Sequence, residues 1–164
     1  MNAPKKLALI LSAIAMALPQ TASAQSAALS KAWAGTWYLD TAKSKFSSAD
    51  FTPKSDTRTY TVAGKRLTMR STGINAAGKT MKWGYSANTD GKWYPTSGNP
   101  NTDHVALTFV SSREFKSKTK LKGKPSARST VTLSADGKVL TINRSILIAK
   151  GGPTDDVLVF DRTK

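Results

Sequence analysis

Apolar and polar residues alternate with a period of two along most of the chain after residue 24, and the 3.6-residue period of amphipathic helices is nearly absent. The clearest example is the row Met81, Trp83 and Tyr85, whose members are separated by single residues and would share one face of a strand. The dipeptide Asp90-Gly91 follows this row, and it tolerates the positive φ angles of a tight hairpin turn. These features predict antiparallel strands joined by hairpins.

About nine such segments follow one another, separated mainly by short turns. A meander of this kind loses its exposed edges when it closes on itself, and a barrel of about eight strands has room for its own side chains or for one small ligand. The predicted fold class is therefore all-β: a single antiparallel up-and-down β-barrel of about eight to nine strands. No shift in composition marks a second domain, so the barrel is predicted to span residues 33–164.

The first residues have the pattern of a secretory signal peptide. Two lysines precede an uncharged apolar run at residues 7–18, and small residues at 22–24 supply a cleavage pattern. The apolar run is too short to span a bilayer. We therefore predict a cleaved signal peptide at residues 1–24, a short tether at 25–32, and an exported protein, periplasmic or secreted, without a transmembrane segment in the mature chain.

The formal net charge of the chain is +15, and removal of the two signal-peptide lysines leaves about +13. Such a charge favours anionic partners such as lipid headgroups, acidic polysaccharide, nucleic acid or a small organic anion, and it also keeps a protein soluble. Nucleic acid is the least expected partner, because it is scarce where a signal peptide sends a protein. The chain has no cysteine, so its stability must come from packing and strand pairing, and we expect a monomer.

In the stretch REFKSKTKLKGK, residues 113–124, every second residue from Lys116 to Lys124 is a lysine. If Phe115 to Leu121 is a strand, these lysines point to water, because an unpaired buried ammonium group is very costly. The row is then either the solvated face of an outer strand, which also discourages edge-to-edge aggregation, or a surface that binds an anion. The candidate anion-binding residues are Lys116, Lys118, Lys120, Lys122 and Lys124.

Arg144 interrupts an otherwise apolar row in the predicted strand Val139–Ala149, in which Leu140 and Ile142 share its expected face. If the alternation holds, the guanidinium enters the barrel, where it needs an anionic or strongly accepting partner. That partner is either a carboxylate of this chain or the head group of a bound, fatty-acid-like ligand. A bulge that turns the side chain outward is the third alternative.

The sequence offers no convincing catalytic or metal site. Its single histidine, His104, follows Asp103, which is predicted to point to the opposite face of a strand. Asp155 and Asp156 diverge for the same reason, and the chain has no histidine pair and no Gly-any-Ser-any-Gly turn. We therefore expect no enzymatic activity, no catalytic residues, no metal and no cofactor.

The segment Gly35-Thr36-Trp37 resembles the Gly-any-Trp motif that opens the first strand of lipocalins. The resemblance implies a barrel that carries a small apolar molecule, with Trp37 closing one end and Arg162 packing over that tryptophan. Three longer segments, GTWYLDTAKSKF (35–46), DGKWYPTSGNP (90–100) and SADGKVLTI (134–142), are similar to a group of bacterial exported lipocalin-like (calycin-type) proteins of unassigned function.

Two functions follow as hypotheses. The first is an exported carrier that holds a small hydrophobic or amphipathic ligand, anionic or neutral, inside the barrel. Its predicted pocket residues are Met69, Met81, Trp83, Tyr85, Leu107, Phe109 and Arg144. The second is a basic surface-binding module that holds an anionic envelope polymer, lipid or partner protein through the lysine row.

Overall fold

Ten antiparallel strands form a closed barrel in residues 29–162, the residues that the computed structural model describes. Each strand pairs with its neighbour in the sequence, and the first pairs with the last. The strands are β1 Gly35–Lys45, β2 Ser55–Ala63, β3 Arg66–Ile74, β4 Thr80–Asn88, β5 Asp90–Ser97, β6 His104–Ser111, β7 Glu114–Leu121, β8 Lys124–Leu133, β9 Val139–Ile146 and β10 Thr154–Asp161. The predicted all-β barrel is confirmed, with ten described strands in place of eight to nine. The predicted signal peptide, residues 1–24, lies outside the described residues.

The hairpin β2–β3 shows how the alternating pattern folds. Tyr60 stands opposite Met69, and both side chains are buried in the barrel. Their neighbours Thr61 and Arg70 are exposed on the outer face, as strand geometry requires. Gly64 makes the connecting turn with a φ of +59°, a conformation that glycine adopts without steric cost.

Two strands depart from a simple alternating pattern. β1 runs from Gly35 to Lys45, with a bulge after Asp40 where the register with β10 shifts. The side chain of Asp40 accepts two backbone N–H groups at this bulge, each at 3.0 Å, and the sequence alternation does not reveal it. β9 ends at Ile146, three residues before the predicted Ala149, because a loop that contains two glycines at positive φ follows.

The end of the barrel at which β1 begins is plugged by side chains, and we call it the closed end. A short 3₁₀ helix, Lys31–Trp33, packs there, and its fully buried tryptophan contacts Phe115 with 5.0 Å between ring centroids. The Trp33 indole N–H donates to the carbonyl oxygen of Ser112 at 2.8 Å. Leu29, which lies in the predicted tether, is also buried in this core, so the described part of the tether packs onto the barrel.

The opposite end of the barrel, the open end, is formed by the segments 46–54, 75–79, 98–103, 122–123 and 147–153. A second 3₁₀ helix, Ala49–Phe51, lies in the first of these segments. Within residues 29–162, no helix combines the length and the apolar character needed to cross a bilayer.

Candidate functional site

A cavity of about 130 Å³, the inner cavity, lies inside the barrel. Its apolar lining includes Trp83, Phe115 and Ile142, and its polar lining includes two arginines and several hydroxyl groups. The hydroxyl-bearing residues are Tyr60, Tyr85, Thr102, Ser117, Thr119, Ser126 and Ser129. This mixture can enclose an apolar body and also hydrogen-bond a polar group.

A second cavity of about 170 Å³, the mouth cavity, adjoins the first at the open end. Both are lined by Phe51, Trp83 and two asparagines of the β5–β6 loop, Asn99 and Asn101. The mouth cavity also includes residues of the β3–β4 loop, so it connects the inner cavity with the rim of the barrel. A ligand that reaches the inner cavity from the open end therefore passes these shared side chains.

Arg58 lies between the two cavities and is buried with a carboxylate partner. Its Nε donates to Oδ2 of Asp56 at 2.8 Å, and the other carboxylate oxygen accepts the Ser71 hydroxyl at 2.6 Å. The guanidinium carbon lies 4.7 Å from the ring centroid of Phe160 and 5.7 Å from that of Trp83. Burial is the largest single influence and disfavours the charge, but Asp56 and Tyr60 together outweigh it and hold the pKa of Arg58 above the ordinary value.

Arg144 enters the barrel, as the alternation in β9 predicts, and pairs with Asp156 directly opposite on β10. Its NH2 group lies 2.6 Å from Oδ2 of that carboxylate, and its Nε lies 3.3 Å away. The backbone N–H of Ser47 donates to Oδ1 at 2.8 Å, so both carboxylate oxygens are engaged. Burial lowers the pKa of Arg144, and the hydrogen bond to Asp156 opposes that shift. The guanidinium nevertheless remains charged, as arginines do in proteins. Of the three alternatives for Arg144, the structure shows the ion pair within the chain.

Tyr60 on β2 and Tyr85 on β4 lie on either side of Met69 of β3, and both line the inner cavity. Burial raises the pKa of Tyr60 and raises the pKa of Tyr85 well above its ordinary value. The nearby Arg58 opposes the shift in both cases. Both phenols are therefore neutral hydrogen-bonding groups at neutral pH.

The predicted pocket residues divide into three groups. Trp83, Tyr85 and Arg144 line the inner cavity. Met81 lines the mouth cavity. Met69 and Leu107 lie in the buried core and Phe109 packs against it, and these three side chains line neither cavity.

Sequence reasoning missed Asp56, Arg58 and Asp156 as interior residues. The signal for the first two was present, because Asp56, Arg58 and Tyr60 occupy alternate positions of β2 and share its inward face. A carboxylate two residues before an arginine on that face supplies the partner that burial requires. The pairing of Arg144 with Asp156 depends on the register between β9 and β10. The seven-residue loop between these strands does not allow that register to be predicted from the sequence.

The prediction that Asp103 points away from His104 is wrong. Oδ1 of the aspartate lies 2.8 Å from Nδ1 of the imidazole. β6 begins only at His104, so Asp103 belongs to the preceding loop, where strand alternation does not apply. Its other oxygen accepts the backbone N–H of Lys122, and these contacts, the imidazole first, lower the pKa of Asp103. Both side chains are partly exposed at the open end, outside the two cavities.

The Gly35-Thr36-Trp37 segment meets Arg162 at the closed end. The guanidinium carbon of Arg162 lies 4.4 Å from the Trp37 ring centroid, and Trp37 is fully buried. Gly35 has a φ of +135°, and a Cβ there would lie 2.8 Å from a terminal nitrogen of Arg162. The absence of a side chain at Gly35 therefore leaves room for the arginine.

The lysine row does not lie on one strand. Lys116, Lys118 and Lys120 lie on the outer face of β7, but Lys122 makes the hairpin turn with a φ of +49°, and Lys124 begins β8. Lys118 stands opposite Arg128, and Lys120 lies 4.6 Å from the ring centroid of Trp93, which is 44% exposed. The basic surface therefore extends sideways across β5–β8 rather than along a single strand.

No protein-family model matches the chain, and no curated protein matches it. Among solved structures, lobster apocrustacyanin A1 matches with a TM-score of 0.45 and 18% identity, covering 80% of this chain and 61% of that one. Apocrustacyanins C1 and C2 match with a TM-score of 0.46 and 18% identity, covering 81% of this chain and 62% of theirs. This chain thus spans about three fifths of the length of those proteins. At this level of similarity they carry no argument about its family or ligand.

Proposed function

We propose that this protein is a carrier that binds a small amphipathic molecule in the inner cavity. The observation that carries the proposal is a cavity inside the barrel with both apolar and hydrogen-bonding walls, next to an end of the barrel that is not filled by Trp33 and Trp37. Cavities that combine a mainly apolar wall with a few placed polar groups are the usual architecture of small-molecule sites. The proposal includes export of the protein, which the sequence predicts and which cell fractionation would test.

The route of entry follows from the two barrel ends. Trp33 and Trp37 fill the closed end, so a ligand enters at the open end past Phe51, Asn99 and Asn101. Inside, its apolar part meets the ring of Phe115 and the aliphatic wall, and its polar group meets the hydroxyl-bearing side chains. The site then binds through exclusion of water from apolar surface, with hydrogen bonds that fix the ligand's orientation.

Binding rather than catalysis is proposed because the buried carboxylates are already engaged. Asp56 and Asp156 each accept hydrogen bonds from an arginine and from a second group, so neither is free to act as a general base. The described residues also contain no group of three or more His, Cys, Asp or Glu side chains placed to hold a metal ion.

Fluorescence titration tests the carrier proposal, because Trp83 lines the cavity. A set of amphipathic molecules of increasing size, some uncharged and some anionic, should include members that produce a saturable change in tryptophan emission. Ala127→Leu fills part of the cavity and should weaken binding at least tenfold. Arg128→Leu places the same side chain on the exposed outer face and serves as the matched control. The carrier proposal fails if no molecule of the set binds.

A second candidate function rests on a different observation, the basic outer face that surrounds Trp93. An exposed tryptophan among lysines suits the interface of an anionic bilayer, where aromatic rings sit at headgroup level and each nearby basic residue adds about 1 kcal/mol. We propose this face as a site for an anionic lipid surface, with Lys116, Lys118 and Arg128 as its central charges.

Vesicle co-sedimentation tests the second candidate. The protein should bind vesicles that contain anionic lipid and not purely zwitterionic vesicles, and salt should weaken the binding because exposed charges are screened within about 8 Å at physiological ionic strength. Replacing Lys116, Lys118 and Arg128 with glutamine should abolish binding. The matched control replaces Lys65, Arg66 and Arg70, which are exposed around the β2–β3 hairpin, and an equal loss there would show nonspecific attraction.

A further inference from the structure

We infer that the ligand of the inner cavity is an uncharged molecule, about the size of one six-membered ring, that carries a hydrogen-bonding group. This inference rests on the proposed carrier function and narrows it to a class of ligand. It departs from the anionic head group that Arg144 suggests in the sequence.

The first argument is the charge balance of the barrel interior. Arg58 pairs with Asp56 and Arg144, which is 22% exposed, pairs with Asp156, so the four charged groups that line the barrel interior sum to zero. An anionic ligand would add a negative charge that nothing in the cavity neutralises. Removal of an uncompensated charge from water is strongly unfavourable, whereas a hydrogen-bonded neutral group can be buried at little cost.

The second argument is that a ligand cannot easily displace the Asp56 or Asp156 carboxylate from its arginine. The Ser71 hydroxyl holds one oxygen of Asp56, and the Ser47 backbone N–H holds one oxygen of Asp156. A ligand carboxylate that displaced either aspartate would leave that aspartate buried without its arginine. The arginines therefore act as fixed parts of the wall rather than as open anion sites.

The net positive charge of the whole protein does not change this balance. Lys116, Lys118 and the other exposed basic residues lie on the outer face, where salt screens them within about 8 Å at physiological ionic strength. They can speed the encounter with an anion, but they do not neutralise one inside the barrel.

The third argument is size and polarity. The inner cavity of about 130 Å³ is close to the cavity of about 150 Å³ that holds a benzene molecule in another protein. Its wall differs in carrying hydroxyl groups, of which Thr119 and Ser126 already bond each other at 2.9 Å. Tyr60 and Tyr85 supply further neutral hydrogen-bonding groups. A single ring with a hydroxyl, amide or ketone group satisfies both the volume and the wall.

Two isosteric probes test the inference, cyclohexanecarboxamide and cyclohexanecarboxylate. They share shape and number of heavy atoms and differ in charge at pH 7, and neither absorbs where tryptophan is excited. In physiological salt the amide should bind at least tenfold more tightly to the wild-type protein. Equal or tighter binding of the carboxylate overturns the inference and leaves the carrier function standing. If neither probe binds, and no molecule of the fluorescence set of either charge binds, the carrier function itself fails.

A charge-deletion variant tests the cause of the preference. Asp156→Asn leaves Arg144 without its carboxylate, so the carboxylate probe should gain at least tenfold in affinity and the amide should lose its advantage. Asp155→Asn removes the neighbouring exposed carboxylate and should leave both affinities unchanged. An unchanged preference in Asp156→Asn overturns the charge argument. If that variant does not fold, the wild-type comparison of the two probes decides alone.

Discussion

The guanidinium carbon of Arg162 lies 4.4 Å from the ring centroid of Trp37, so a cation covers a fully buried indole at the closed end. The same side chain donates from Nε to the carbonyl oxygen of Gly137 at 2.7 Å and from NH2 to the carbonyl oxygen of Ala32. Arg162 thereby connects the end of β10, the β8–β9 turn, the N-terminal 3₁₀ helix and β1. Arg162 therefore stabilises the closed end next to the β1–β10 pairing that closes the barrel.

Arg162→Ala should lower the free energy of unfolding by about 2–3 kcal/mol, because it removes a cation–π contact of about 1 kcal/mol and two hydrogen bonds. Urea denaturation followed by tryptophan fluorescence measures the change. Arg113→Ala removes an exposed arginine near the same end and should cost less than about 0.5 kcal/mol. If Arg162→Ala lowers the free energy of unfolding no more than this control does, the Arg162 guanidinium contributes no more to stability than an exposed arginine.

Gly35→Ala should destabilise the barrel by about 2–3 kcal/mol, because φ is +135° and the new Cβ would lie 2.8 Å from a terminal nitrogen of Arg162. Gly64→Ala is the control, since φ is also positive there but nothing lies within 4 Å of a Cβ. It should cost only the backbone strain, about 1 kcal/mol. The double variant Gly35→Ala with Arg162→Ala should lose less stability than the two single losses together, and strict additivity would contradict the proposed contact.

Alternation and turn chemistry were enough to predict the barrel. Met81, Trp83 and Tyr85 follow strand geometry, and Asp90-Gly91, predicted as the hairpin turn, forms the first two residues of β5, with Gly91 at a φ of +78°. Alternation does not predict β-bulges, which insert an extra residue into a strand, or the positions of short turns. The bulge after Asp40 lengthens β1 without a hydrophobic signal.

The candidate site was less predictable because it depends on contacts between strands. Arg58 lies on the same inward face of β2 as Tyr60, although a charged side chain is usually expected to point to solvent. Its burial is explained by the hydrogen bond to Asp56. Lys122 lies in a turn at positive φ, which is uncommon for lysine. The alternating lysines therefore predict a continuous strand where the structure has a hairpin turn. Asp103 shows the same limit at a strand end, where a shift of one residue changes which side chains meet.

Breaking the buried pair of β9 and β10 should be costly, whereas replacing both members should not. Arg144→Ala leaves the buried Asp156 carboxylate without its partner and should lower the free energy of unfolding by about 3–5 kcal/mol. Asp156→Ala should cost less, because the Arg144 side chain that it leaves unpaired is 22% exposed to solvent. The double variant Arg144→Met with Asp156→Leu fills the space with apolar side chains and should recover most of that loss. Chemical denaturation of the three variants gives the coupling energy between the two sites.

Asp155→Ala is the control for that series, because the residue is exposed and lies next to Asp156. It should change stability by less than about 0.5 kcal/mol. A double variant as unstable as the sum of the single variants would show that the two side chains act independently, contrary to the 2.6 Å contact.

The alkaline stability of the protein should depend on Tyr85. Burial, and then the neighbouring Tyr60, raise the pKa of Tyr85 well above that of an unfolded tyrosine, which is about 10. The folded state therefore keeps a proton that the unfolded state loses, so this contribution to stability is fully present below pH of about 10 and is lost as pH rises through the folded pKa. Tyr85→Phe removes the titrating group, and the free energy of unfolding should fall less steeply with pH above about 10, by up to about 1.4 kcal/mol per pH unit.

Trp83→Phe provides the comparison for Tyr85→Phe, because it changes a cavity-lining aromatic residue on the same strand face without removing a titrating group. It should lower stability at every pH and leave the alkaline slope as in the wild type. Lysine deprotonation reduces the net charge over the same range, but it affects all three proteins alike and cancels in the difference. Urea denaturation at a series of alkaline pH values measures the slopes, and a slope for Tyr85→Phe equal to that of Trp83→Phe would place the Tyr85 hydroxyl in contact with water rather than within the barrel wall.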